Sequence, residues 1–96
     1  MIRVLESFTL IDMERVFDRI KTDQKNVYLI KWKTPSTRMK VVKVKKIHIV
    51  ESSNSFYIKA NDQEFDILFK EVMDAQIGKS FVSITTKKMD MIVFFK

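Results

Sequence analysis

The sequence predicts an α+β fold in which two amphipathic helices pack on a mainly antiparallel sheet of five to seven strands. Apolar residues recur at helical spacing in two segments, and they alternate or form β-branched runs in the others. One glycine and one proline in 96 residues leave few sharp loops, so most of the chain must be regular structure. The length fits a single domain, residues 1–96, with the element order β-α-β-β-β-α-β-β.

The first predicted elements are a short strand at residues 2–5 and a helix at about residues 10–22. Thr9 precedes the helix and is placed to cap its N-terminus. The apolar stripe of this helix is Met13, Val16, Phe17 and Ile20. Its i, i+3, i+4, i+7 spacing puts all four side chains on one face, which we expect to pack on the sheet.

The middle of the chain alternates as strands do. In residues 27–33, Tyr28, Ile30 and Trp32 share one face. Residues 34–37, with Pro35, are typical of a turn. Residues 39–50 are extended, but their apolar phase slips at residues 45–46, which predicts a β-bulge or a break between two strands. Residues 51–55 form a second predicted turn, and residues 56–60 a further strand.

The second helix is predicted over residues 61–78. Asn61 is a suitable N-cap, and Glu64 follows three residues later, as in a capping box. The expected apolar stripe is Phe65, Leu68, Phe69 and Val72. Gly78 is placed to end the helix in a left-handed conformation.

The last two predicted strands cover residues 81–86 and 89–95, joined by a tight turn at Lys87 and Lys88. The terminal strand is apolar on both sides, which is typical of a central or doubly covered strand. We expect both helical stripes to share one core with Ile92 and Phe94. From Leu10 onward the element order is similar to that of the double-wing DNA-binding domain of a phage middle-promoter activator. That similarity concerns element order alone, so it implies no site residue.

Basic side chains cluster in residues 24–50, which hold eight of them and no Asp or Glu. The flanking segments each carry one more acidic than basic residue, so the net charge of +6 arises from the middle. Pairing of the strands on either side of Pro35 would place these charges on one ribbon, which attracts polyanions. The candidate nucleic-acid-binding residues are Lys31, Lys33, Arg38, Lys40, Lys43, Lys45 and Lys46. The alternative is an edge hairpin whose lysines prevent aggregation.

Aromatic residues near this segment could stack on unpaired bases. Trp32 and Tyr28 share a face with Ile30, however, which favours a place in the core. Tyr57 shares its strand side with Lys59, and these two residues complete the candidate nucleic-acid-binding set.

Catalytic or metal-dependent chemistry has little support in the sequence. His48 is the only histidine, there is no cysteine, and the single glycine excludes a phosphate-binding glycine-rich loop. The acidic residues Asp62, Glu64 and Asp66 suit the N-terminus of the predicted helix. We therefore expect no cofactor, no metal and no enzyme activity, although a small toxin-like ribonuclease stays open.

The sequence thus favours a small basic nucleic-acid-binding protein with a regulatory or accessory role. RNA or single strands are slightly favoured over duplex DNA, because neither predicted helix is basic. The alternative is a phage- or plasmid-type inhibitor or adaptor that binds an acidic or nucleic-acid-binding host protein. No apolar run approaches the length of a membrane span and the first eight residues have no signal-peptide pattern, so we expect a cytoplasmic protein. A hairpin or terminal edge strand in so small a domain favours symmetric pairing, so we also expect a homodimer.

Overall fold

One helix and two antiparallel sheets make up residues 13–96, the part of the chain that the computed structural model describes. Helix α1 covers residues 13–22 of that part. The strands are β1 (Val27–Lys33), β2 (Lys40–Lys43), β3 (Ile47–Glu51), β4 (Ser55–Ala60), β5 (Gln63–Leu68), β6 (Val72–Ile77), β7 (Phe81–Thr86) and β8 (Asp90–Phe95). Short 3-10 turns, Gln24–Asn26 and Phe69–Glu71, precede β1 and β6.

The larger sheet has the strand order β2-β1-β8-β7-β6, and the smaller one has the order β3-β4-β5. All neighbouring strands are antiparallel. Strand β8 lies at the centre of the five-stranded sheet, so the prediction that the apolar terminal strand is central is confirmed. The α+β class is also confirmed.

The core forms where the inner faces of the two sheets meet helix α1. The helix buries its predicted stripe of Met13, Val16, Phe17 and Ile20. Ile30 and Val93 come from the larger sheet, and Phe56, Ile58 and Phe65 come from the smaller one. Trp32 meets Phe65 edge to face, with ring centroids 4.9 Å apart, so the two sheets contact directly.

The prediction of a second helix at residues 61–78 is wrong, because this segment forms β5 and β6. Asn61 has φ 56° and occupies a two-residue hairpin turn, where a left-handed residue matches the twist of the strands. Pairing of β5 with β4 buries Phe65 and Ile67 on one side. Phe65, Leu68, Phe69 and Val72 fit a helical spacing, whereas Phe65, Ile67 and Phe69 alternate as in a strand, and cross-strand pairing decided between the two patterns.

Ile92 and Phe94 do not join the core as expected. Met91, Val93 and Phe95 are buried instead, and the two predicted residues lie half-buried on the opposite face. Residues 91–95 are all apolar and provide no alternation among themselves, so their pattern does not determine which parity faces inward.

The phase slip at residues 45–46 corresponds to a break between two strands, which was one of the two predicted outcomes. Strand β2 belongs to the larger sheet and β3 to the smaller one. A second irregularity was not foreseen: the pairing of β1 with β8 shifts register between Val27 and Leu29. Val27 is therefore buried while Tyr28 is exposed, which removes Tyr28 from the face of Ile30 and Trp32.

The turns at residues 34–37, at residues 52–54 and at Lys87 and Lys88 lie where they were predicted. The predicted strand at residues 2–5, the Thr9 cap and the start of the first helix fall outside the described residues. Within residues 13–96, no helix has the length and apolar character needed to cross a membrane.

Candidate nucleic-acid interface

The basic residues of strands β1 and β2 divide between the two faces of the larger sheet. Lys31 lies opposite Val41, and Lys43 lies opposite Leu29. Directly paired residues share a face, so Lys31 and Lys43 both point away from the core. Lys33 shares their parity along β1, whereas Lys40 pairs with the buried Trp32 and lies on the inner side of the open edge.

The other cations of the basic segment lie in loops. Arg38 lies in the β1–β2 connection, and Lys45 and Lys46 lie in the link between β2 and β3; all three are exposed. The seven candidate cations from Lys31 to Lys46, expected on one ribbon, therefore spread over the outer face, the β2 edge and the adjoining loops. The positive region curves around one side of the molecule.

Asn61 holds the basic link in place. Its Oδ1 accepts hydrogen bonds from the backbone N–H groups of Lys45 at 2.8 Å and Lys46 at 3.1 Å. Its Nδ2 donates to the carbonyl of Lys43 at 2.8 Å. These bonds satisfy the backbone where two strands separate into different sheets, and they leave both lysine side chains directed to solvent.

Ion pairing distinguishes the basic segment from the rest of the chain. The three ion pairs of residues 13–96 are Arg19–Asp23, Lys21–Glu51 and Lys88–Glu71. None uses a cation from residues 24–50, even though Lys33 lies opposite Asp90 in the register of β1 and β8. Within the described chain, the cations of this segment have no carboxylate partner and keep their charge available to an outside anion.

The outer face of the larger sheet also carries apolar side chains. Leu29, Phe81, Ile92 and Phe94 are half-buried and lie outside the core cluster. The Lys31 ammonium lies 5.6 Å from the centroid of the Phe94 ring, a cation–π distance. Sequence reasoning missed these outward aromatic residues, although the apolar positions on both sides of the last strand were a signal for them.

Tyr57 and Lys59 lie on the outer face of the smaller sheet, away from the β1–β2 hairpin. Asp66 lies opposite Tyr57, and Glu64 lies opposite Lys59. The Tyr57 hydroxyl donates a 2.6 Å hydrogen bond to Glu64 Oε1, and this bond is the main cause that raises the pKa of the phenol. The two carboxylates offset the positive charge of Lys59, so this face attracts phosphate less than the basic segment does.

The residues considered for catalysis or metal binding are not arranged as an active site or a metal site. His48 is exposed on edge strand β3, opposite Lys59. Asp62 lies in the β4–β5 turn, and Glu64 and Asp66 are exposed on β5, not at a helix N-terminus. Across residues 13–96, no group of three or more His, Asp or Glu side chains is arranged to hold a metal ion.

No protein family, no curated protein and no solved structure matches the chain significantly. The similarity of element order to the double-wing domain also fails, because residues 61–78 form strands in place of the second helix.

Proposed function

We propose that this chain is a small nucleic-acid-binding protein, with a regulatory or accessory role in the cytoplasm, that grips phosphates with its basic segment. The supporting observation is that none of the cations between Lys31 and Lys46 forms an ion pair within residues 13–96. Unpaired like charges repel one another, and binding of a polyanion relieves that repulsion and releases counterions. Tyr57 and Lys59 were candidates as well, but we give them at most a minor part because of Glu64 and Asp66.

RNA or single-stranded DNA is a better fit than duplex DNA. A duplex reader usually places a basic helix in the major groove. The solvent-facing side of α1 mixes Glu14, Arg15 and Asp18, and its other cations, Arg19 and Lys21, are occupied by Asp23 and Glu51. The free positive charge lies on strands and loops, as it does in many proteins that bind unpaired nucleotides.

Binding of labelled RNA, single-stranded DNA and duplex DNA across a salt series tests this proposal. With about five phosphates neutralised, the slope of log affinity against log salt concentration for a single strand should be about −3.5. Replacing Lys43 and Lys45 together by Glu should nearly abolish binding and leave the circular dichroism unchanged, since both side chains are exposed.

The matched control replaces Lys70 and Lys87 by Glu, because both are exposed and lie outside the basic segment. This control has the same change in charge, so a specific interface predicts a much smaller loss of affinity. Equal binding by the wild type and the Lys43/Lys45 variant would refute phosphate binding through this segment.

A second candidate function is that of an inhibitor or adaptor of the phage or plasmid type, which binds an acidic or nucleic-acid-binding host protein. Edge strand β2 favours it, because Met39 and Val41 beside that edge are 47% and 51% exposed. A partner strand could add to this edge through main-chain hydrogen bonds. This candidate predicts that free nucleic acid binds no better to the wild type than to the Lys43/Lys45 variant.

A further inference from the structure

A row of side chains crosses four strands on the outer face of the larger sheet. Phe81 of β7 lies opposite Phe94 of β8, Phe94 lies opposite Leu29 of β1, and Leu29 lies opposite Lys43 of β2. Lys31 approaches the same row, with its ammonium 5.6 Å from the Phe94 ring. We call these five residues the aromatic platform.

The platform is built into the fold at Phe81. Gly78, in the β6–β7 connection, lies so close to the Phe81 ring that a Cβ there would be 2.0 Å from Cε1. The absence of a side chain at Gly78 thus lets the ring lie against the backbone of the turn. The ring has a defined position on the outer face even though it lies outside the core cluster.

The charge around the platform is positive. Its two cations, Lys31 and Lys43, form no ion pair among the described residues. The nearest carboxylate on β8, Asp90, is four residues from Phe94, or about 13 Å along the strand at ~3.3 Å per residue. An anionic ligand that carries flat apolar groups would therefore meet rings and cations at the same end of the face.

We infer that the aromatic platform binds single-stranded nucleic acid by stacking unpaired bases on Phe94 and Phe81 while Lys31 and Lys43 contact the adjoining phosphates. The inference rests on the proposed function and identifies single strands as the ligand class. A row across four strands extends about 14 Å at ~4.8 Å between strands, which leaves room for two bases and a flanking phosphate. Any base can stack on an aromatic ring, so we expect the site to have little sequence specificity. A duplex keeps its base faces inside the helix and gains only the phosphate contacts.

Fluorescence anisotropy with a labelled oligothymidylate and a duplex of the same length tests the platform. Phe94→Leu and Phe81→Leu preserve apolar bulk and net charge but remove the stacking surface. Each should weaken single-strand binding about tenfold, with the salt slope and duplex binding unchanged. Tyr57→Leu removes an aromatic residue from the outer face of the other sheet and should leave affinity within about twofold.

The outcomes separate the platform from the wider proposal. If the Phe variants bind the oligonucleotide as the wild type does while the Lys43/Lys45 double Glu variant loses binding, the platform is wrong and phosphate binding stands. If the wild type binds no oligonucleotide, both fail. If the Phe variants bind normally but dissociate a dimer in sedimentation, the face holds a second copy and the inference is overturned.

Photocrosslinking provides a second measurement that needs no substitution. An oligonucleotide with iodouridine should crosslink to β7 or β8 when irradiated with the wild-type protein, and peptide mapping should find Phe81 or Phe94. Crosslinks confined to residues 34–39 would place the bases on the β1–β2 connection and would contradict the platform.

Discussion

The ring of Phe17 in helix α1 stacks on Phe56 of strand β4, with centroids 4.3 Å apart and planes inclined by 19°. A second stack, 5.2 Å between centroids, joins Phe17 to Phe69 just before β6. Phe17 and Phe56 are almost completely buried. Phe17 thus packs helix α1 against the smaller sheet and against the short segment that connects β5 to β6 of the larger sheet.

We predict that Phe17→Ala lowers the free energy of unfolding by about 3–5 kcal/mol, because it empties a large core site and breaks two aromatic stacks. Folded domains have a total stability of only about 5–15 kcal/mol, so a measurable fraction of the variant should be unfolded even without denaturant. Urea denaturation followed by circular dichroism measures the effect. Tyr28→Ala is the control, since Tyr28 is exposed, and an equal loss in both variants would contradict the packing.

Substitution of Asn61 should separate its conformation from its hydrogen bonds. Asn61→Gly retains easy access to φ 56° but loses the three bonds to the backbone of residues 43–46. Asn61→Ala loses the bonds and also places an ordinary side chain in a strained conformation, which costs about 1–2 kcal/mol more. We expect stability to fall in the order Asn, Gly, Ala, as measured by thermal unfolding. A more stable Ala variant than Gly variant would show that the turn relaxes.

Arg19 should stabilise the fold more than the exposed Lys21 does. Its guanidinium donates hydrogen bonds to Asp23 at 2.7 Å and to the carbonyls of Gly78 and Lys79 at 3.2 and 2.9 Å. It also lies 4.7 Å from the centroid of the Phe95 ring, a cation–π distance. We expect Arg19→Ala to cost about 1–2 kcal/mol, a value that allows for its partial exposure.

Denaturant unfolding compares Arg19→Ala with Lys21→Ala, which removes the exposed pair with Glu51. The Lys21 variant should lose much less stability, because its ion pair with Glu51 is exposed to solvent and screened by it. Arg19→Lys should recover little of the loss, because an ammonium cannot reproduce the planar set of donors. Full recovery by lysine would mean that charge alone matters at this position.

The ionisation of Tyr57 should follow its bond to Glu64. The pKa of Tyr57 is raised above its ordinary value of 10.0, chiefly because Glu64 accepts the phenolic hydrogen. The neutral phenol is the form that the fold favours, so its contribution to stability is present below pH 10.0 and is lost as the pH rises through the pKa of the folded protein.

Ultraviolet titration of Tyr28→Phe isolates this group, because the chain has two tyrosines. Adding Glu64→Ala should lower the midpoint of the titration towards 10.0. An unchanged midpoint would mean that Tyr57 does not keep this bond in solution.

We also predict a homodimer formed through edge strand β6. This edge carries one charged residue, Asp74, and Met73 and Ile77 on it are exposed, whereas the shorter edge strand β2 both begins and ends with lysine. Charge on an edge opposes strand pairing, so β6 is the better surface for a second copy. Light scattering should report a dimer for the wild type and a monomer for Gln76→Lys. A monomeric wild type at high concentration would refute the prediction.

The local sequence pattern was sufficient to predict an element where the alternative structures would bury very different amounts of apolar surface. The stripe from Met13 to Ile20 could bury its apolar face only as a helix, and Trp32 could reach the core only on the side of Ile30. The phase slip at residues 45–46 showed that one straight strand could not keep both halves of that segment on the same side. Each of these predictions depended on residues close together in sequence.

The residues of the candidate site were predictable in kind but not in arrangement. The unbroken run of basic side chains identified the segment between Lys31 and Lys46. Its division between an outer face, an edge and a link depends on the register of β1 with β2. The register of β1 with β8 also has a bulge, and that bulge turned Tyr28 outward. Phe81 and Phe94 are far from the basic segment in sequence, and only sheet order places them beside Lys31 and Lys43.

The sequence by itself determined the net charge, the basic segment, the first helix and the strand character of the middle and the end of the chain. Tertiary structure decided that residues 61–78 are strands and that Phe95, not Phe94, points inward. The physical reason is the same in both cases. The apolar residues of these segments fit more than one local pattern, and the free energy that separates the patterns comes from pairing with distant strands and burial against them.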